Sequence, residues 1–324
     1  MPQLRQNIIT GDWVVIAPQR SKRPSDYVTK NEEKSEATKA CVFEVGGEAY
    51  QKRYQDFETD HIFVIGNKYP AFVTDANVCS VRSYGVEDFY SAQPSVGGHD
   101  VVIVKDHDIA LNTFSEQVWF ELFEVTRRRV EYFQEVCNVA STIPLYNHRK
   151  KAGASISHPH AQILAANVVP SLVQRELDHT ESYFKKNGSC PFCDMIEHEL
   201  ESKIRLVAEN KSFVAFTVYA ARFPFEIWIL PKNHQAGFEK ASQEDLRNLA
   251  EIMKSVIGKL DKALDNPPLN YFIHTLPNSC EDPSYYHWHL EIAPRVSDFG
   301  GFETGVEMFI DVMSPEEAVG YLTK

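Results

Sequence analysis

The sequence has no apolar run long enough to span a bilayer, and its first residues, Met1-Pro2-Gln3-Leu4-Arg5, contain no apolar leader segment. Neither a membrane span nor a secretory route is expected, and a cytoplasmic location is. Positive charge is in deficit: 33 lysines and arginines face 45 aspartates and glutamates, a formal net charge of −12. That balance argues against a nucleic-acid surface, although a local cluster of donors is enough to hold a small anion. The six cysteines include one Cys-x-x-Cys pair. In a cytoplasmic chain this favours metal or redox chemistry over structural disulfides. With 43% hydrophobic and 12% aromatic residues in 324, the chain can bury a large core and has room for about two domains.

What the sequence does contain is a pair of alternate histidines, twice. His158-Pro159-His160 precedes Ala161-Gln162, and His287-Trp288-His289 lies in the second half. On an extended strand, residues two apart point to the same side, and the proline favours that geometry in the residue before it. A lone His-Pro-His would read equally well as two surface histidines, but here the whole order of features repeats. Cys41, Asn67-Lys68-Tyr69-Pro70, Val101-Val102-Ile103-Val104, His107 and His158 come first. Cys190, Asn210-Lys211, Ile227-Trp228-Ile229-Leu230, His234 and His287 follow at similar spacing. The chain is therefore read as α+β: two duplicated modules, over residues 1–170 and 171–324, each an antiparallel-rich sheet with a long helix.

Local signals agree. Trp13–Ile16 and Ile62–Ile65 read as strands, and the charged stretch from about Tyr27 to Ala40 as a loop. Thr113-Phe114-Ser115-Glu116 fits a capping box opening a helix to about Cys137. Ser242-Gln243-Glu244-Asp245 opens its counterpart, in which Leu246, Leu249, Met253, Val256 and Leu260 keep helical spacing. Leu172 to Lys186 reads as a bridging helix ended by Asn187-Gly188, and Ser314-Pro315 starts a short last helix.

Cys190, Cys193, His234 and His287 supply two thiolates and two imidazoles, a set suited to tetrahedral zinc. A redox pair is the competing reading, weakened because no βαβ pattern opens with the motif. Cys41, Glu44, His107 and His158 form the first-half counterpart, with a carboxylate in place of the second thiolate. Zinc or another divalent metal is expected there. If His158 binds metal, His160 is free for chemistry, and Gln162 is one strand step further on the same face. Asn147, Gly153 and Ser155 lie in a polar turn just upstream.

These residues resemble the galactose-1-phosphate uridylyltransferase family, a branch of the histidine-triad superfamily, over nearly the whole chain. The resemblance rests on Asn7 through Pro24, Asn67-Lys68-Tyr69-Pro70-Ala71, Gly153 through Gln162, and Phe302 through Met308. It implies two histidine-triad-like modules and a nucleotidyltransferase in which His160 attacks the α-phosphorus of a nucleotide sugar and releases a sugar 1-phosphate. Gln162, Ser155, Arg20 and Arg23 would donate to phosphate oxygens, and Asn67, Lys68, Asn147 and Gly153 would shape the nucleotide pocket. Phe302 and Glu307 would handle the sugar phosphate, in a homodimer whose C-terminal segment reaches the partner's site. The primary expectation is transfer between UDP-glucose and a hexose 1-phosphate such as galactose 1-phosphate. An ADP-glucose phosphorylase-type reaction is the alternative within this chemistry, and a non-catalytic, zinc-stabilised nucleotide-binding protein the alternative outside it. His289 lacks a following glutamine and is read as structural.

Overall fold

The computed structural model describes residues 1–20, 41–74, 84–85 and 89–324; the loop expected between Tyr27 and Ala40 lies outside them. The strands are β1 (Gln3–Gln6), β2 (Trp13–Ile16), β3 (Ile62–Gly66), β4 (Tyr84–Gly85), β5 (Ser91–Ala92), β6 (Gly97–Val104), β7 (Ser141–His148), β8 (His160–Ala166), β9 (Leu206–Glu209), β10 (Phe213–Thr217), β11 (Ile227–Pro231), β12 (Leu269–His274), β13 (His289–Pro294) and β14 (Ile310–Asp311). The helices are α1 (Glu48–Gln51), α2 (Glu116–Glu135), α3 (Ser171–Asn187), α4 (Pro191–Ser202), α5 (Gln243–Leu264), α6 (Gly301–Val306) and α7 (Pro315–Leu322). Among the described residues no helix is long and apolar enough to cross a membrane.

Nine strands form one sheet in the order β3-β6-β8-β7-β12-β13-β11-β10-β9, and its pairings are antiparallel. From the centre outward, β7, β8, β6 and β3 mirror β12, β13, β11 and β10, which is the expected repeat. The two half-sheets are joined rather than stacked. Leu145–His148 of β7 pair with Leu269–Phe272 of β12, and Tyr146 stacks on Tyr271 at 5.4 Å. A smaller sheet ties β1 and β2 to β14 near the C-terminus.

Both long helices cover one face of the large sheet. Val102, Val104, Ala161, Ile163 and Ala165 share a buried cluster there with Trp119, Leu122 and Phe123 of α2 and Leu249, Met253 and Val256 of α5. Strand alternation sends His160 and Gln162 to the opposite face, where Val101 and Ile103 pack with Phe43, Phe63 and Ile65. Gly98 lets β6 lie on α2, because a Cβ there would sit 2.1 Å from the Phe133 ring.

The two long helices are capped at their N-termini by side chains, with one correction. The N-cap of α2 is Ser115, whose hydroxyl accepts from the Val118 N–H; Thr113 lies in the preceding turn and donates its hydroxyl to the Ala110 carbonyl instead. For α5 the box at Ser242 and Asp245 forms as read. The bridging helix and last helix also form, and Gly188 ends the former in the left-handed region at φ +76°. Helix α4, carrying the Cys-x-x-Cys motif, was not foreseen. Nor was a disulfide: Cys41, Cys190, Cys193 and Cys280 are free, but Cys137 is disulfide-bonded.

One buried ion pair pins β6 to α2. Arg129 donates to Asp100 Oδ2 at 2.7 Å, and both side chains are almost wholly buried. Burial pushes the Asp100 carboxyl up, and Arg129 opposes that push. Removing one partner leaves a buried charge unpaired. Arg129→Met is expected to cost about 3–5 kcal/mol in urea unfolding, and Asp100→Asn in the same chain to recover much of the loss.

Candidate active site and ligand clusters

The second-half ligand set assembles from three elements. Cys190 is the N-cap of α4 and Cys193 lies in its first turn, while His234 follows β11 and His287 precedes β13. Their ligand atoms all lie within 4.8 Å of one another. Cys193 Sγ is 3.3 Å from His234 Nδ1 and 3.8 Å from His287 Nδ1. Tetrahedral zinc would set such S···N edges at about 3.5 Å. His234 Nε2 faces the Pro283 carbonyl at 3.1 Å and His287 Nε2 the Pro231 carbonyl at 3.0 Å. A carbonyl only accepts, so each Nε2 carries the proton and each Nδ1 turns a lone pair to the cluster. The hydrogen bond from the Cys193 thiol, acting against burial, lowers the Cys190 thiol from its ordinary pKa.

The first-half set is built alike. Cys41 Sγ lies 3.5 Å and His107 Nδ1 3.0 Å from His158 Nδ1, and Glu44 Oε1 lies 3.1 Å from His107 Nδ1. His158 Nε2 donates to the Val104 carbonyl at 2.6 Å. Acceptor atoms converge here, an arrangement one divalent cation satisfies at once, and the carboxylate of Glu44 takes the place of the missing thiolate.

His160 is held differently. Its Nδ1–H donates to the His158 carbonyl at 2.8 Å, which leaves the Nε2 lone pair for chemistry. Phe43 packs edge-on against both rings, at 5.9 Å from His158 and 5.4 Å from His160. Burial pushes the His160 imidazole below its ordinary pKa, with the His158 carbonyl opposing, so the neutral, nucleophilic form is favoured near pH 7. The pair thus faces two ways: His158 Nδ1 turns into the ligand cluster and His160 away from it.

Gln162 lies along the same face and is met by a residue sequence reasoning missed. His99 on β6 has Nε2 2.9 Å from Gln162 Oε1 and 3.1 Å from Asn67 Nδ2. Asn67, after β3, thus lies against His99, while Lys68 is exposed with its ammonium 5.7 Å from the Tyr69 ring centroid. Asn147 is the last but one residue of β7 and accepts from Asn270, whose Nδ2 also donates to the Ala152 carbonyl, each at 2.7 Å. Gly153 closes that turn at φ +93°, a conformation other residues resist, and Ser155 is exposed beyond it. Asn270 was also missed, since it comes from the other module and no motif surrounds it. Only the backbone of Arg20 is described, at the end of the turn Pro18–Arg20, and Arg23 lies outside the described residues. Phe302 is half exposed on α6, and Glu307 accepts from Arg175 at 3.2 Å. Among the described residues no hydrogen bond or ring contact joins either of them to His160 or Gln162.

The second module fills the equivalent space with its own side chains. His289 repeats the bond of His160, Nδ1–H to the His287 carbonyl at 3.1 Å, but it is fully buried and stacked on Trp228. Glu291 stands where Gln162 stands in the first module. It is bound by Arg222, which also donates to Glu226 at 2.9 Å. Burial works against Glu291 ionising, and Arg222 with His274 outweighs it, holding the carboxyl far below the usual range. Glu176 of α3 closes the cluster, accepting from His274 Nδ1 at 2.8 Å and the Tyr286 hydroxyl at 2.9 Å. His289 is therefore enclosed by side chains of its own module and by Glu176.

Comparison with known proteins places this arrangement among relatives. The N-terminal domain of the galactose-1-phosphate uridyl transferase family matches residues 1–170 and its C-terminal domain residues 176–315. An ADP-glucose phosphorylase of Arabidopsis thaliana is 32% identical, over 98% of this chain and 91% of the relative. A galactose-1-phosphate uridylyltransferase of Thermotoga maritima is 29% identical, over 99% and 98%. A solved structure of an ADP-glucose phosphorylase from Arabidopsis thaliana with bound ADP-glucose superposes with a TM-score of 0.85, at 30% identity, over 100% of this chain and 98% of that one.

The bridge from Asn270 to Asn147 and Ala152 is open to a direct test. Asn270→Ala would leave Asn147 Oδ1 and the Ala152 carbonyl without their shared donor. The expected cost is about 1–3 kcal/mol in denaturant unfolding, with faster amide hydrogen exchange confined to the turn around Lys150–Gly153.

Proposed function

Because the chain belongs to the galactose-1-phosphate uridyl transferase family, we propose that it moves a nucleotidyl group from a nucleotide sugar to a phosphate-bearing acceptor through a covalent nucleotidyl-histidine at His160. The observation that carries this reading is the tautomer of His160: Nδ1–H is spent on the His158 carbonyl, so Nε2 carries a lone pair beside Gln162. Nε2 attacks the α-phosphorus, an N–P bond forms, and the P–O bond to the β-phosphate breaks. The sugar 1-phosphate leaves with that electron pair. An acceptor phosphate then displaces His160 by the reverse path. A phosphate leaves without needing a strong acid, so the site's task is to position the groups and to offset charge. The amide of Gln162 donates to a non-bridging oxygen, and Ser155, Arg20 and Arg23 add donors. Asn67, Lys68, Asn147 and Gly153 line the nucleotide side.

Cys190, Cys193, His234 and His287 would hold zinc; Cys41, Glu44, His107 and His158 would hold zinc or another divalent ion. Bound metal supplies rigidity here: it fixes His158, and His160 follows two residues along the same strand. The division into modules at about residue 170, the cytoplasmic location and a homodimer belong to the same reading. Exposed Phe302 and Val306 on α6 support a C-terminal segment that meets the partner's site.

Uridylyl transfer between UDP-glucose and hexose 1-phosphate, galactose 1-phosphate included, is the reading favoured by the family match. Adenylyl transfer from ADP-glucose to phosphate is the second reading, favoured by the 32% identity to the ADP-glucose phosphorylase. Exchange of labelled glucose 1-phosphate into UDP-glucose against ADP-glucose separates them. The preferred nucleotide should exchange in the absence of any acceptor other than glucose 1-phosphate itself, and His160→Ala should abolish exchange while keeping metal content and melting temperature. Exchange surviving in His160→Ala would remove the nucleophile.

Metal content gives an independent measurement. The first group, with one thiolate fewer, should release its ion first under a chelator, with activity falling before the chain unfolds. Cys190→Ser should lower bound metal by about one ion per chain. Unchanged metal in that variant, or activity that outlasts loss of the more labile ion, contradicts the two-site reading.

A further inference from the structure

His99 lies on the same face of the sheet as Gln162, because Val101 is the β6 partner of Gln162 and His99 is two residues before it. Three groups surround its ring. The Ala71 backbone N–H is 3.1 Å from Nδ1, while Gln162 Oε1 and Asn67 Nδ2 approach Nε2. A backbone N–H can only donate, so Nδ1 has no proton. A neutral imidazole then carries its proton on Nε2, and that proton requires an acceptor. Asn67 cannot serve, because its Oδ1 already accepts from the Tyr69 N–H at 2.9 Å and its amide nitrogen is the atom facing His99. The acceptor is Gln162 Oε1. The Gln162 NH2 must therefore point away from His99, and the hydrogens of Asn67 Nδ2 are left for a ligand.

We propose that His99 is the positioning residue of the reaction: its single Nε2 proton locks the Gln162 carboxamide with the NH2 toward the phosphoryl group and ties that lock to the 67–71 loop. The inference rests on the nucleotidyl-transfer reading and adds a residue outside every motif that supports it. Without the lock, a carboxamide can turn over at little cost and present its oxygen to an anionic phosphate. One atom pattern on His99 thus reports loop position at Nδ1 and sets amide direction at Nε2.

Two replacements separate these tasks. In His99→Asn the short carboxamide can still accept from the Ala71 N–H but does not reach Gln162. In His99→Gln the longer side chain places an N–H donor near the former Nε2. The measurement is single-turnover release of glucose 1-phosphate by the full chain from whichever of UDP-glucose and ADP-glucose the unmodified protein uses. His99→Asn should slow formation of the nucleotidyl-enzyme by about tenfold or more, with nucleotide-sugar affinity changed less than about twofold. His99→Gln should restore most of the rate. In a Gln162→Leu background, His99→Asn should add nothing, since its effect passes through Gln162. A wild-type rate in His99→Asn, no recovery in His99→Gln, or equal slowing in both backgrounds overturns the proposal while leaving the reaction intact. If one variant does not fold, the other decides in the same paired backgrounds. An unmodified protein that forms no nucleotidyl-enzyme at all would fail the reaction itself, a separate result.

Discussion

The ladder between β7 and β12 is the constraint from which the rest follows. Four residue pairs join two half-sheets into one surface. A single surface lets α2 and α5 lie side by side across both modules and share one core, with Trp119 and Phe123 of the first half close to Tyr271 of the second. It also carries Asn270 to within hydrogen-bond distance of Asn147, so the end of β7 in one module is braced by the other. A slip of one residue at this seam would turn every side chain of β12 to the other face and undo both the core and the brace.

On that surface the two modules solve the same local problem and then part. In each, the first histidine of the pair gives its Nε2 proton to a neighbouring strand's carbonyl and turns Nδ1 into a ligand cluster. The second histidine gives its Nδ1 proton to the carbonyl of the first. Alternation on a strand enforces this division without further residues. The modules differ in what stands beyond the second histidine: the neutral amide of Gln162, facing His99, or the carboxylate of Glu291, bound to Arg222.

Much of this was legible in the residues. The repeat, the long helices, the bridging helix and the ligand sets all follow from order and spacing. Those signals are local or are doubled by the duplication. The cap at Ser115 was misplaced because Thr113 offers the same chemistry two residues earlier, and only the backbone angles choose between them. Helix α4 was hidden by the functional reading of Cys190 and Cys193, although Pro191 at its first turn is a start signal. His99, His274 and Asn270 could not be found this way. Each acts through a contact across strands, and none belongs to a periodic pattern or a motif.

The side-chain cluster of the second module has a consequence for substitution. Glu176, Arg222, Glu226, His274, His289 and Glu291 form linked contacts, so a change at one alters the charge balance of its neighbours. A substitution such as Glu291→Gln would match the amide of the first module yet leave Arg222 with Glu226 as its remaining carboxylate. A single change there is felt by several partners at once, so equivalent positions of the two halves are not interchangeable.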